Sequence, residues 1–500
     1  MDILSNLYIG FHTALSLQNI YLCFIGCLWG SMVGVLPGIG PMAGITLLIP
    51  VSYGLEATSA MILLAGIYYG AMYGGSTTSI LMNIPGESAS VMTCLDGYQM
   101  TRKGRAGAAL FIAAWGSWIG GTFSIIGLML LAPTLANVAI KFGPPEMFSI
   151  LLVAFVLLGS LGTESFIKTA AMILMGFLCG TIGMDSLTGS MRFTFGFRDL
   201  YDGFGLLPVA MGSIGISEIL LSTEETLVKD VYKPRFRELL PNREELRASL
   251  GPICRGTGIG FFIGLLPGSA HILSSFVSYM VEKRVARRPE EFGTGRVEGV
   301  AGPETANNAC TGGALIPLLA LGIPTSGTLA VLMVALLLHG VRPGPLLISE
   351  QPQMFWGLIA SMYIGNLILI ILNLPLVGLF VSLLRIPFRI LFPMILLITI
   401  VGVYSVNLET FDLMVLLGAG IFGYFSRKLG FSVPPFILAL LLGPLIEETF
   451  RQSLMRSGGS LSIFYRSQIA LTLILFSCLL LVWNIYKSLK SGRKTKAEAV

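Results

Sequence analysis

The residues able to do chemistry in this chain lie where a membrane helix rarely keeps them. The stretch "GPETANNACTGGALIPLLALGIPTSGT", Gly302 to Thr328, sets Glu304, Thr305, Asn307 and Asn308 within little more than one helical turn. It then adds a Gly-Gly pair and a break at Pro324, Thr325 and Ser326. An earlier stretch, "GGSTTSILMNIPGES" at Gly74 to Ser88, follows the same plan with Ser76, Thr77, Asn83, Gly86, Glu87 and Ser88. A third, "GVLPGIGP", holds Gly38 between two prolines. None of these is a bond-breaking constellation. The chain has no H-E-x-x-H, G-x-S-x-G or P-loop pattern, and His12, His271 and His339 are too scattered to form a zinc site. What the stretches offer is recognition. Amide and hydroxyl oxygens with unwound carbonyls suit a desolvated cation, and the N-terminus of a broken helix suits a carboxylate.

Residues of this kind need elements that hold them in an apolar surrounding. The 500-residue chain is 54% hydrophobic and only 12% charged, against about 25% charged in an ordinary soluble domain, and its mean hydropathy is +0.81. It reads as an all-α polytopic membrane protein with about twelve spans, beginning near Gln18, Ala57, Ala106, Glu146, Lys168, Phe204, Ile253, Trp356, Ile386, Asp412, Val433 and Ser467. "MDILSNLYIG" has no basic cluster before its apolar run, so the first span is expected to stay in the mature chain. The net charge of +5 is spread over loops, which argues against a nucleic-acid partner and for a cytoplasmic excess of Lys and Arg. The seven cysteines form no C-x-x-C pair and are expected to be reduced packing residues, with no disulfide, metal or cofactor implied.

The polar stretches repeat. "GSMVGVLPGIGP" at Gly30 resembles "GFFIGLLPGSAH" at Gly260, and the Gly74 stretch resembles "GGALIPLLALGIPTSG" at Gly312. The order LPG, GG, IP is kept in both halves. In the first copy the basic loop with Arg102, Lys103 and Arg105 follows the IP element, whereas in the second Lys283, Arg284, Arg287, Arg288 and Arg296 precede the GG element. If basic loops stay cytoplasmic, the copies lie upside down relative to each other, as in many secondary transporters. The expected organisation is a first repeat over 1–221, a charged cytoplasmic connector over 222–250, a second repeat over 251–426, and C-terminal helices with a basic cytoplasmic tail over 427–500.

Small residues often serve only close helix packing, and "GSWIGGTFSIIG" at Gly116 to Gly127 is read that way. Packing does not require Glu87, Glu304, Asn83, Asn307 and Asn308 beside the prolines, and an ionisable group at membrane depth is functional by default. Gly38, Ser76, Thr77, Asn83, Gly86, Glu87, Ser88, Thr305, Asn307, Asn308, Thr325 and Ser326 are therefore the expected solute-binding set. Asn83, Glu304, Asn307, Asn308 and Thr325 are the expected ion-coupling set, with no metal beyond a transported Na+. Asp185 and Glu218 are expected to be interfacial or capping groups, and His271 to make a structural hydrogen bond. "EETFR" at Glu447 to Arg451 resembles the paired-glutamate motif of membrane prenyl-proteases but lacks its partner histidines.

Four long segments also carry a family resemblance. "GVLPGIGP", "LAGIYYGAMYGGSTTSILMNIPGESASVMTCLDGYQMTRKGRAGAAL", "FGTGRVEGVAGPETANNACTGGALIPLLALGIP" and "LLLHGVRPGP", in that order, resemble the TctA-type large membrane subunit of the tripartite tricarboxylate transporters. The similarity extends through "MDSLTGSMRFTFG" and "RKLGFSVPPFILALLLGPLIEETFRQSL". The resemblance implies a multi-pass permease of a prokaryotic inner membrane, working with a periplasmic solute-binding protein and a small membrane subunit. It implies carboxylate uptake with an inward Na+ or H+ gradient. The family's characteristic positions fall at Gly38, Gly74, Gly75, Asn83, Pro85, Gly86, Glu87, Glu304, Asn307, Asn308 and Pro324. Two departures, Thr325 after Pro324 and His271 after the second LPG, leave the solute open. A passive organic-anion channel and an intramembrane enzyme are the competing readings.

Overall fold

Inside a bilayer every backbone N–H and C=O must find a partner within the protein, so apolar runs of this length fold as helices and irregular backbone survives only where protein or water covers it. The computed structural model describes residues 3–36, 40–160, 166–185, 187–222, 240–268, 270–378 and 388–497. Gly38 and most of the charged connector lie outside the described residues. The protein is an all-α multi-pass membrane protein with one small exception. A two-stranded antiparallel hairpin pairs β1, Gly183–Met184, with β2, Met191–Arg192.

The first series of helices is α1 (Ile3–Ala14), α2 (Leu17–Val35), α3 (Gly40–Ser52), α4 (Ala57–Met82), α5 (Val91–Arg102) and α6 (Ala106–Ala139). Then come α7 (Pro144–Ser160), α8 (Phe166–Gly180), the hairpin, and a helix built from α9 (Leu206–Ala210), a π-helical turn (Met211–Ile216) and α10 (Ser217–Ser222). The second series is α11 (Arg243–Gly264), α12 (Ala270–Val285), α13 (Glu298–Leu321), α14 (Gly327–Leu338), the short α15 (Leu347–Glu350) and α16 (Pro352–Asn373). Helices Phe388–Asn407, Thr410–Lys428, Val433–Arg456, Ser462–Arg466 and Gln468–Ala497 complete the chain. Among the described residues, five helices are long and apolar enough to cross a membrane unaided: α2, α6, α16, Val433–Arg456 and the Gln468–Tyr486 stretch. The breaks and polar residues of α4 and α13 keep those two helices out of that set.

Both series have the same internal order of long helix, break, short helix, long helix, break, short helix. The short helices α5 and α14 have 12 residues each, a rise of about 18 Å, too little for a hydrocarbon core of about 30 Å. Glycines spaced by four on the first long helix of each series set how it packs. A Cβ at Gly30 would meet the Ile67 carbonyl at 2.5 Å, and one at Gly264 would meet the Cys310 carbonyl at 2.6 Å. Thus α2 lies directly on the backbone of α4, and α11 on that of α13, as small-residue faces allow. The series are interlocked, because α6 packs on α13 and α16 packs on α4. The "GSWIGG" face of α6 serves this contact, with Gly120 over the Thr305 carbonyl.

One buried carboxylate ties the end of one series to the middle of the other. Asp96 on α5 accepts the backbone N–H groups of Gly293, Gly295 and Arg296 at 2.7–2.9 Å, and the Tyr279 hydroxyl at 2.9 Å. The loop joining α12 to α13 is thereby anchored on α5. On its exposed side the loop is trimmed by an ion pair in which Arg288 and Arg296 hold the Glu291 carboxyl below the usual range.

Candidate functional site

The two IP breaks do not continue outward from their helices but turn back toward the middle of them. Asn83 ends α4 in the left-handed conformation, φ 58°, a region that Asn enters more readily than most residues. The chain then climbs back until Gly86 and Glu87 lie beside Gly75. A Cβ at Gly75 would meet the Glu87 Cγ at 2.5 Å, and one at Gly86 would strike the Gly34 carbonyl. In the second series Gly322 ends α13 with φ 71°, and the Thr325 hydroxyl reaches the Ala314 carbonyl at 3.5 Å. The two breaks of the second series also touch, since the Gly268 N–H donates to the Thr325 carbonyl at 2.7 Å.

Four helix N-termini consequently face one cavity of about 550 Å³, within the usual range of small-molecule sites. They are the start of α3 at Gly40, the turn leading into α5 at Ser88, the start of α12 at Ala270, and the start of α14 at Ser326 and Gly327. Their first N–H groups have no intrahelical acceptor, and each carries the positive end of a helix dipole. Glu87 and Ser326 cap two of them, accepting from the Ala89 and Leu329 N–H groups at 3.0 and 3.3 Å. The remaining wall comes from helices outside the two series: Ile214 in the π-helical turn, Glu218 on α10, Arg427, and Ser432, Pro434, Pro435 and Leu438 around the start of Val433–Arg456.

A buried polar chain runs back from Glu87 and His271, which both line the cavity. Asn307 donates to Glu87 Oε1 at 2.8 Å, and its Oδ1 stands 2.9 Å from His271 Nδ1. His271 Nε2 is 2.7 Å from the Tyr68 hydroxyl. With Asn307 Nδ2 committed to Glu87, Oδ1 accepts from His271 Nδ1–H, which leaves Nε2 to accept from Tyr68. Glu304, 1% exposed, takes the Ser76 hydroxyl at 2.5 Å on one oxygen and the Thr93 hydroxyl on the other. Glu304 and Asn307 stand three residues apart on α13 and so share a face. Neither Glu87 nor Glu304 has a Lys or Arg partner among the described residues.

The expected site residues divide into three groups. Gly86, Glu87, Ser88 and Ser326 line the cavity. Ser76, Glu304 and Asn307 form the layer behind it. Thr77, Asn83, Thr305, Asn308 and Thr325 do not line it: Thr77 is buried in α4, Asn83 is exposed at the helix end, and the Thr305 hydroxyl turns back to the Ala301 carbonyl at 2.7 Å. Asn308 faces Ser117 on α6 at 2.7 Å, and Thr325 is fully enclosed. Sequence reasoning missed Arg427, Thr93 and Tyr68, and Glu218 lines the cavity in an ion pair with Arg427. No local signal marks Arg427: "SRKLGFSVPP" reads as a helix end, and Gly430, φ 71°, makes the turn that follows it. Asp185 caps the hairpin turn, accepting from the Leu187 N–H at 2.8 Å, and pairs with Arg192 and Arg451. That cluster, with Glu447 of "EETFR", lines a separate cavity of about 270 Å³.

Gly75→Ala tests the contact that seats Glu87. The added methyl is expected to shift the carboxylate at an overpacking cost of about 1–3 kcal/mol, lowering initial uptake roughly tenfold or more. Wild-type uptake rates would mean that Glu87 is free to move and its seat is unimportant.

Comparison with known proteins identifies the family of the chain. The model of the "Tripartite tricarboxylate transporter TctA family" matches residues 20–438. An "Uncharacterized 52.8 kDa protein in TAR-I ttuC' 3'region" of Agrobacterium vitis is 46% identical over 493 residues, covering 99% of this chain and 98% of the relative. An "Uncharacterized protein in TAR-II ttuC' 3'region" of the same organism is 45% identical over 234 residues, covering 47% of this chain and 97% of the relative. No solved structure matches. The matched span contains both series of broken helices and every N-terminus at the cavity, and the chain belongs to the tripartite tricarboxylate transporter TctA family, a family of transporter components.

Proposed function

We propose that the chain is the permease subunit of a secondary transporter that imports a di- or tricarboxylate-like solute by cation symport. A periplasmic solute-binding protein delivers the solute, and a small membrane subunit completes the complex in a prokaryotic inner membrane. The observation that carries this reading is the pairing of four helix N-termini with two buried acids at one cavity. The N-termini suit a carboxylate. The acids supply the reason for coupling, because Glu87 and Glu304 lack a cationic partner among the described residues and a carboxylate solute would add further negative charge. An ionised acid in such surroundings is costly unless it is paired, so a proton or Na+ must enter with the solute.

The two series belong, in this reading, to inverted repeats over 1–221 and 251–426 about a connector at 222–250, within about twelve spans, with basic loops and tail cytoplasmic. One repeat-built unit moves against the other to change access. The test is uptake of labelled succinate, malate and citrate into proteoliposomes holding both membrane subunits, with purified binding protein outside and Na+ or H+ gradients imposed. Accumulation that follows one gradient, needs no ATP and falls strongly in Glu304→Gln is expected. Equilibration without accumulation would identify a passive channel and overturn the proposal.

A further inference from the structure

We propose that Arg427 is the second anchor of the solute, receiving a carboxylate other than the one held by the helix N-termini, and that Glu218 occupies its guanidinium when the cavity is empty. The inference rests on the carboxylate reading above and goes on to name the residue that selects for a solute with at least two carboxylates.

Arg427 lies in the last turn of Thr410–Lys428 and is the only Lys or Arg among the described residues lining the cavity. Its side chain is 25% exposed, that of Glu218 is 17% exposed, and both line the same cavity as Gly86, Glu87 and Ser326. The N-termini come from the broken helices, whereas Arg427 and Glu218 come from α10 and Thr410–Lys428, outside the short broken helices. The cavity therefore has two anion-favouring places on two separately built walls.

The elements that hold the pair are rigid where they meet. A Cβ at Gly212 would strike the Leu416 carbonyl, and one at Gly423 the Ser213 carbonyl, so the π-helical turn and Thr410–Lys428 lie backbone to backbone. Turns of this type recur at functional sites because they re-aim side chains. Arg427 meets Glu218 through Nη1 alone, which leaves the rest of a planar five-donor fork for a second carboxylate. The guanidinium lines the cavity, so that a solute entering there can reach it. A solute carboxylate can join Glu218 on the free part of the fork, so that neither acid is left without the guanidinium, which limits the desolvation cost of binding.

The experiment uses the complete transporter in proteoliposomes, with labelled succinate, malate and citrate and the monoamide of whichever of the two dicarboxylates is taken up faster. Arg427→Ala is expected to raise the KM for the acid roughly tenfold to a hundredfold, the effect of losing a charge-assisted contact. The matched monoamide should change less than about threefold. Glu218→Gln is expected to lower the KM for the acid, because the resident competitor loses its charge. The double variant Arg427→Ala/Glu218→Gln separates binding from neutralisation. If Arg427 binds solute, the double variant keeps the defect on the acid; if Arg427 only neutralises Glu218, the double variant recovers wild-type uptake and the proposal fails. Equal losses on acid and monoamide also overturn it. Should wild-type protein take up none of the three acids, the carboxylate reading fails first and this inference fails with it. Size-exclusion profiles of Arg427→Lys and the double variant establish that the fold is kept.

Discussion

Asn307→Ala is expected to reduce gradient-driven uptake at least a hundredfold while leaving a folded protein. Asn307 is 1% exposed, and its carboxamide joins Glu87 at 2.8 Å to His271 at 2.9 Å. Removing it takes the side-chain donor from the buried Glu87 at about 1–3 kcal/mol, while His271 Nδ1 keeps only the Asn307 backbone carbonyl at 3.2 Å. That loss falls on the geometry of Glu87 in the cavity wall rather than on the fold as a whole. Its neighbour is the control. Asn308 turns to Ser117 and to the Glu304 carbonyl, so Asn308→Ala should lower thermal stability with less than about a fivefold loss of uptake. Initial rates in proteoliposomes, alongside thermal unfolding in detergent, distinguish the two. Equal losses of uptake in both variants would mean that the whole polar face of α13 is structural, and the role given to Asn307 would be wrong.

The largest effect on stability is expected from Asp96→Ala. This carboxylate is fully buried and accepts three backbone N–H groups and the Tyr279 hydroxyl. Alanine leaves those donors without acceptors, a loss of about 3–5 kcal/mol. The unfolding temperature in detergent should drop by about 4 °C or more. Asp96→Asn keeps one acceptor oxygen and should fall between wild type and alanine. Function should fall too, because α5 begins at the cavity with Glu87 and Ser88 and the anchored loop leads into α13, which carries Glu304 and Asn307. A shift of less than about 2 °C in Asp96→Ala would show that water replaces the carboxylate at no cost and that the loop needs no anchor.

The membrane class, the family and the pairing of LPG, GG and IP elements are all legible in the sequence. Each follows from local composition and order: apolar runs with few charges, prolines that end helices, and glycines at spacings that place them on one face. Glu87, Glu304 and Asn307 could also be singled out there, because an acid beside a proline in an apolar run has no packing purpose.

Which of the marked residues face the cavity was decided only by the tertiary structure. Residues 304 to 308 look equivalent as a sequence, yet one helical turn spreads them over different neighbours. Asn307 meets Glu87 and His271, whereas Thr305 and Asn308 turn toward α6. The register between α13 and α6, set by where glycines let two backbones touch, makes that distinction. The pairing of Glu218 with Arg427 is likewise invisible along the chain, since 209 positions separate them. Each reads alone as an ordinary charge near a helix end. Periodicity reports which residues share a face of one helix, but the partner of that face is a long-range contact, and only folding supplies it.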